Sequence, residues 1–221
     1  MGRNSIEQRL LLPIGYAPSV EYFTLLACGD AEIDAAEHYV KQTWRNRCRL
    51  LSPQGVIELT VPVKQGAAEA CPIRQVEISP HDRWQSRHLQ AIKCCYNRTP
   101  YYEYYIDTLA PLYEKGAFRY LFDFCIALIE AVAHLMQLPL RYGLSAEYRA
   151  SAEPDYRALF DPSYLVMRKD FAPVPYYQLF EGRERFVPNL SILDLLFNMG
   201  PEARLILKQQ YDMMDLCPSI K

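Results

Sequence analysis

Apolar runs alternate with turn residues along the first third of the chain. Residues 9–14 form a short apolar run closed by glycine and proline, a pattern that predicts a β-strand. Ser19 then offers a helix N-cap, and the apolar positions of residues 20–28 fit a helix that Gly29 ends. A further apolar element at residues 31–35 follows directly. Strand, helix and strand in this order indicate a compact parallel unit with a ligand-facing loop after the first strand.

The next region has the alternating polarity of paired strands. Residues 47–51 and 56–63 flank the turn sequence Ser-Pro-Gln-Gly at 52–55, which predicts a β-hairpin. A polar loop at 64–70 and a further strand at 73–78 are expected to follow.

Beyond residue 78 the apolar spacing becomes helical. Ser79 and Pro80 predict the N-cap and first position of a helix that continues to Pro100. Residues 146–175 carry charges and prolines without clear periodicity, so we expect irregular structure there. The predicted helices of this region are 80–98, 102–115, 118–138, 190–198 and 201–213.

These elements predict an α/β protein. A small strand-helix-strand layer with a β-hairpin would be covered by a helical C-terminal half. The length of 221 residues suits one domain, 1–221, with an α/β part at 1–78 and a mainly helical part at 79–221.

Composition and charge argue against nucleic acid as a partner and against a membrane span. The net charge of -2 argues against a general nucleic-acid binder, so any anion site must be local. No signal-peptide pattern opens the chain, which predicts a cytoplasmic protein. The longest apolar stretch, residues 121–138, is too short and too polar to predict a membrane span.

Cofactor and metal motifs are not found in the sequence. The seven cysteines include no C-x-x-C pair, which favours reduced and mostly buried thiols. Glu130 and His134 form a single E-x-x-x-H pair without a second metal motif, so we predict no metal site. Ser145 lacks the final glycine of a nucleophile elbow. Neither a dinucleotide fingerprint nor a Walker loop occurs, and the cofactor stays unknown.

The run KQTWRNRCRL at residues 41–50 is the strongest candidate for anion binding. In an extended segment Arg45, Arg47 and Arg49 would share one face, because side chains alternate along a strand. Their guanidinium groups could then bind a phosphate or carboxylate through paired N–H donors. The alternative is a face wetted by solvent or paired with Glu37 and Glu58.

A helical histidine and a tyrosine cluster lie further along the chain. Trp84, Arg87 and His88 share one helical face, and His88 at its boundary could act as general acid or base or serve a structural role. A tyrosine-rich stretch could stack on a sugar or base ring, although packing explains it equally well. Its members are Tyr96, Tyr101, Tyr102, Tyr104 and Tyr105.

Four segments of the chain resemble the WbqC-like family. They are GYAPSVEYF (15–23), EHYVKQTWRNRCRLLSPQG (37–55), LTVPV (59–63) and WQSRHLQAIKCCYNRTPYYEYY (84–105). The ending FVPNLSILDLLFNMGPEA (186–203) is similar to that of Bacteroidetes members. Many members close the first strand with a Gln-Pro pair, whereas this chain has Leu12-Pro13.

The resemblance implies a setting in bacterial surface-polysaccharide gene clusters. It implies a transferase that moves an acyl or aminoacyl unit onto a nucleotide-linked or phosphorylated sugar. The alternative is a non-enzymatic binding or scaffold subunit of a glycan assembly complex, so enzyme activity stays open, as does oligomerisation. In the enzyme hypothesis His88 handles the proton, and the ligand-binding residues are Tyr16, Glu21, Lys41, Trp44, Arg45, Asn46, Arg47, Trp84 and Arg87.

Overall fold

The structure, a computed structural model, describes residues 9–64, 71–152, 154–158, 173–180 and 186–214. It confirms the predicted α/β class, with a small parallel sheet, an antiparallel hairpin and several helices. The strands are β1 (Leu10–Leu12), β2 (Ala31–Ile33), β3 (Arg47–Ser52), β4 (Gly55–Thr60) and β5 (Tyr142–Leu144). The helices are α1 (Val20–Cys28), α2 (Trp84–Tyr96), α3 (Tyr102–Leu109), α4 (Leu121–Leu135), α5 (Ile192–Met199) and α6 (Ala203–Met213).

The parallel sheet has the strand order β1-β2-β5. Leu10 pairs with Ala31, which in turn pairs with Tyr142, and α1 forms the crossover between the first two strands. The sequence pattern missed β5, because a three-residue strand with a central glycine has no alternation to detect. Through β5, the second half of the chain contributes a strand to the sheet that β1 and β2 form in the first half.

The predicted hairpin is present with its turn at residues 52–55, although its second strand ends at Thr60 and not at residue 63. Arg47 lies opposite Thr60 and Ser52 opposite Gly55 in antiparallel pairing. Cys48 and Leu50 are buried, whereas the arginines that alternate with them are half-buried. The hairpin therefore turns its apolar face into the core and its arginines toward the opposite side.

Several predicted elements differ from the observed ones. Helix α2 begins at Trp84 and not at Ser79, because Asp82 has a left-handed backbone with φ 63° that a helix does not accommodate. The predicted helix 102–115 changes to a 3₁₀ turn at Ala110–Tyr113, where Pro111 has no N–H to donate. The predicted strand 73–78 begins as a 3₁₀ turn, Ile73–Gln75.

Helical packing closes the core around the sheet. Helix α1 packs against α6, and α4 contacts α3 and α5. None of the helices in the described ranges combines the length and apolarity that crossing a bilayer requires. Residues 65–70 of the predicted polar loop and 159–172 of the predicted irregular stretch lie outside the described residues.

Candidate functional site

A pocket opens at the carboxyl end of β1, where the chain leaves the parallel sheet. It is lined by the loop 13–19, by side chains between Trp44 and Arg49, and by Asn189 and Ser191. Ligands of open α/β sheets bind beyond the carboxyl ends of the strands, so the position suits a site. The enclosed space is about 20 Å³, room for one or two water-sized groups. Only the tip of a ligand would enter, with the remainder across the mouth.

Two helix N-termini meet at this pocket. Ser19 caps α1 by accepting a hydrogen bond from the backbone N–H of Tyr22, at 3.3 Å. Ser191 caps α5 by accepting one from the N–H of Leu193, at 3.2 Å. Each N-terminus carries the positive end of a helix dipole, roughly half an elementary charge. Both ends therefore favour an anion in the space between them.

Hydrogen bonds between the two capping segments hold the pocket wall together. The Ser191 hydroxyl donates to the Ala17 carbonyl at 2.7 Å, and the Ile192 N–H donates to the Pro18 carbonyl at 2.7 Å. Ala17 has φ 39°, an uncommon conformation for a residue with a side chain. The contacts from Ser191 and Ile192 stabilise this bend, so the loop and the segment before α5 form one wall.

Arg45, Arg47 and Arg49 all line the pocket. Only Arg47 and Arg49 lie on β3, as the spacing predicts; Arg45 is in the turn before that strand, so the predicted extended segment does not reach it. The three arginines differ in their partners. Arg45 forms an ion pair with the buried carboxylate of Glu37, which also accepts a hydrogen bond from the Ile14 N–H. Pairing with Glu37 was the alternative to anion binding that the sequence left open for Arg45. The ion pair neutralises the Arg45 guanidinium.

Arg47 differs from Arg45 in having no carboxylate partner among the described residues. Its neighbour across the hairpin is Thr60, whereas Arg49 lies opposite Glu58. The Arg47 Nε atom is buried without a hydrogen-bond partner. Neither Arg47 nor Arg49 forms an ion pair among the described residues, but only Arg49 has a carboxylate residue opposite it in the hairpin. Arg47 is therefore the pocket arginine best placed to give its charge to a ligand.

Unpartnered buried polar atoms concentrate at the pocket. Seven side-chain nitrogen or oxygen atoms in the described part of the chain are buried without a hydrogen-bond partner. Four of the seven belong to residues that line this pocket: Trp44, Arg45, Arg47 and Asn189. Because such atoms are rare and each costs about 1–3 kcal/mol, their clustering marks this pocket as a place where a ligand would find hydrogen-bond partners.

Glu21 lies behind the pocket rather than in its lining. Its side chain is 1% exposed, and its Oε2 accepts a hydrogen bond from Asn189 Nδ2 at 3.3 Å. Glu21 is in the first turn of α1, so its carboxylate offsets part of the positive potential of that N-terminus. Glu21 contacts the pocket lining through its hydrogen bond with Asn189.

His88 is in the core, 5% exposed, and is not among the pocket-lining residues. Its Nδ1 is 2.8 Å from the Tyr16 hydroxyl, which is 3.0 Å from the Tyr113 hydroxyl. Burial lowers the pKa of His88 to about 4, against the opposite effect of a hydrogen bond to the Thr60 backbone. The ring is therefore neutral near pH 7, with Tyr16 donating to Nδ1 and the other ring nitrogen facing Thr60.

Tyr16 and Trp84 are core residues too. Tyr16 is fully buried, and burial raises the pKa of its hydroxyl well above the usual value, so the group stays protonated. Trp84 is 4% exposed and packs edge-on against the rings of His88 and Phe124. Tyr16 is not among the lining residues, but its backbone N–H donates at 3.2 Å to the carbonyl of Trp44, which does line the pocket.

Three other predicted site residues lie away from the pocket lining. Lys41 is exposed, and Arg87 is exposed with a long ion-pair contact to Asp82 at 3.7 Å. Asn46 is 5% exposed and donates from Nδ2 to the Val61 carbonyl at 2.9 Å. Asn46 therefore joins β3 to the chain beyond β4, next to the pocket.

The tyrosine stretch divides between core and surface. Tyr96 and Tyr102 are buried and pack on Phe197, with ring centroids 5.1 and 5.4 Å away. Tyr101 and Tyr105 stack on each other at 5.8 Å. These four rings make packing contacts, and Tyr104 stands out at 77% exposed.

The serine, metal and cysteine candidates from the sequence show no sign of a catalytic or metal site in the described residues. Ser145 donates to Asp34 at 2.7 Å, and Arg157 forms an ion pair with the same carboxylate. No cluster of three or more His, Cys, Asp or Glu side chains suited to a metal occurs within the described ranges. The six cysteines there are unbridged, and Cys217 lies outside them.

Sequence reasoning missed the contribution of the segment before α5. Asn189 and Ser191 line the pocket although more than a hundred residues separate them from the loop 13–19. A capping signal was present, since Ser191 stands directly before an apolar helical run and Asp194 is an acidic residue in its first turn. Nothing local indicated which surface this N-terminus would face.

Comparison with known proteins places the chain in a family. The WbqC-like protein family profile matches residues 15–162 and 163–206. The uncharacterized protein Rv1507c of Mycobacterium tuberculosis is 29% identical over 216 residues, covering 85% of this chain and 92% of that protein. No solved structure matches the chain. Because the profile spans most of the sequence, this protein belongs to the WbqC-like protein family.

Proposed function

We propose that the chain binds a phosphorylated or nucleotide-linked sugar through an anionic group in this pocket. We further propose that it is a cytoplasmic enzyme of Bacteroidetes-type surface-polysaccharide biosynthesis that transfers a small acyl or aminoacyl group to that sugar. The observation that carries the binding proposal is Arg47, which lacks a carboxylate partner among the described residues and lies beside two helix N-termini. The biosynthetic setting rests on the family resemblance alone.

The residues have distinct parts in this proposal. Arg47 binds the anionic group, and the Trp44 indole N–H, buried without a partner, adds a neutral donor. Arg45 is held by Glu37 and fixes the pocket wall. His88 holds Tyr16 in the loop after β1, because its two ring nitrogens are engaged within the core. It is therefore a positioning residue here and does not exchange a proton with the ligand.

Binding of phosphorylated sugars to Arg47 variants tests the proposal. A hexose 1-phosphate and a nucleoside-diphosphate sugar would be titrated into the wild-type chain, with affinity measured by calorimetry and thermal shift. A ligand at one hundred times its Kd stabilises the folded chain by about 2.7 kcal/mol, or roughly 5–11 °C at this chain length. Arg47→Gln should weaken binding by roughly 10- to 100-fold, since it removes a charged hydrogen-bond donor.

Arg87→Gln provides the matched control, because Arg87 is exposed on α2 and away from the pocket lining. It should bind like the wild type. Equal losses in both variants would indicate a nonspecific charge effect and contradict the assignment to Arg47. No binding of either ligand would overturn the proposal and favour the non-enzymatic subunit.

A further inference from the structure

The pocket contains an acceptor as well as donors. Arg47 and Trp44 offer N–H groups, and the two helix N-termini add positive potential. Asn189 contributes the opposite group, a side-chain oxygen, Oδ1, that is buried without a hydrogen-bond partner. A bare anion would use the donors and leave this acceptor unpaired.

The orientation of the Asn189 amide follows from its other contact. Nδ2 donates to the Glu21 carboxylate at 3.3 Å, and reversing the amide would bring two oxygens together there. Oδ1 is therefore the atom left without a partner. A buried acceptor in this state destabilises the chain, and a donor on the ligand would remove that penalty.

The backbone of Asn189 suggests a competing explanation. Its φ is 55°, in the left-handed region where asparagine is tolerated better than most residues. Asparagine could be present for that conformation alone. Glycine adopts the same conformation without an amide, so Asn189→Gly separates the backbone requirement from the acceptor.

We infer that the ligand carries a hydrogen-bond donor beside its anionic group, and that Asn189 Oδ1 accepts from it. This inference rests on the proposed anion site and specifies its substrate class: small phosphates substituted with a nearby hydroxyl or ammonium group. The donor and the anion must be close, since the enclosed space is only about 20 Å³. Asn189 is then a specificity-determining residue and Arg47 the residue that provides affinity.

Three phosphates of nearly equal size test this inference: ethyl phosphate, 2-hydroxyethyl phosphate and 2-aminoethyl phosphate. Wild-type protein should bind one or both of the substituted phosphates roughly three- to tenfold tighter than ethyl phosphate, the value of one net hydrogen bond. Comparing the hydroxyl and ammonium compounds identifies which donor the site prefers. Asn189→Gly should abolish the preference, so that the three phosphates bind the variant with equal affinity.

The possible results distinguish this inference from the anion site itself. If all three phosphates bind the wild type alike and Arg47→Gln weakens all of them, the anion site stands and the role of Asn189 is overturned. The role is also overturned if Asn189→Gly weakens ethyl phosphate as much as the substituted compounds. If Arg47→Gln changes none of the affinities, the proposed function fails. The wild-type series needs no variant and decides the matter even if Asn189→Gly folds poorly.

Discussion

The Ser191 hydroxyl donates a hydrogen bond to the Ala17 carbonyl at 2.7 Å, joining residues 174 positions apart in the chain. The same hydroxyl accepts from the N–H of Leu193 and so caps α5. One side chain therefore both begins a helix and fastens that helix to the loop after β1. The pocket wall exists because these two contacts form together.

Removing this hydroxyl should cost more than removing the other capping hydroxyl at the pocket. Ser191→Ala loses a cap, worth about 1 kcal/mol, and leaves the Ala17 carbonyl without that donor, at about 1 kcal/mol or more. Ser19→Ala loses only its cap to Tyr22. We expect the free energy of unfolding in urea to fall by about 2–3 kcal/mol for Ser191→Ala and about 1 kcal/mol for Ser19→Ala. Equal losses would show that the contact to Ala17 adds nothing.

Replacing Arg45 should lower the stability of the fold, whereas replacing Arg47 should mainly weaken ligand binding. Arg45→Met leaves Glu37, only 2% exposed, as a buried carboxylate without its ion pair, which costs about 3–5 kcal/mol. Arg47→Met breaks no ion pair among the described residues and should change stability by about 1 kcal/mol or less. Urea denaturation of both variants measures the difference.

A double variant provides the control for the Arg45 prediction. Glu37→Gln removes the charge yet keeps an acceptor for the Ile14 N–H. Combined with Arg45→Met, it should recover part of the lost stability, because no unpaired charge remains. If the double variant loses the sum of the two single losses, Arg45 and Glu37 are not coupled.

Local signals explain which parts of the fold the sequence predicted. Helix α1 has its predicted bounds because Ser19 and Gly29 mark both ends within the chain itself. The hairpin followed from its turn residues and alternating polarity. Strand β5 was missed because its pairing with β2, more than a hundred residues earlier, defines it.

The candidate site shows the same limit. The shared face of Arg47 and Arg49 is a property of strand geometry, so spacing alone predicted it, whereas Arg45 reaches the pocket from the turn before β3. Helical spacing placed His88 at a boundary, but Tyr16 and Tyr113 arrive from distant segments and enclose it. Which arginine is neutralised depended on Glu37, which lies outside the charged run and pairs with Arg45.

The buried His88 should make stability depend on pH. Its pKa is lowered to about 4 in the folded chain, below the value of about 6.5 in the unfolded chain, so the unfolded state binds more protons between these values. This stabilising contribution is fully present above pH 6.5 and is lost as pH falls toward 4. The stability lost in His88→Gln should therefore shrink by about 2–3 kcal/mol between pH 7 and pH 4.5.

His81 gives the matched control for this measurement, because it is exposed before α2. The difference between wild type and His81→Gln in urea denaturation should stay constant over the same pH range. If the His88→Gln difference is equally constant, His88 does not titrate as its burial requires.

Asp194 should change the pH dependence of stability in the direction opposite to His88. It is 1% exposed and accepts hydrogen bonds from Tyr176 at 2.8 Å and Gln178 at 3.1 Å. Burial raises its pKa to about 6, despite the opposite effect of these hydrogen bonds. The folded state therefore binds more protons than the unfolded state between about pH 4 and pH 6, and stability is lost as pH rises through this window.

Asp194→Asn should abolish this loss. The variant keeps an acceptor for Tyr176 but no longer carries a buried charge at neutral pH. Relative to wild type, its free energy of unfolding should increase by about 2–3 kcal/mol from pH 4 to pH 7.5. The exposed Asp107 on α3 provides the control, since Asp107→Asn should show no such change. Parallel pH profiles for wild type and Asp194→Asn would mean that the Asp194 carboxyl ionises in the folded chain as readily as in water.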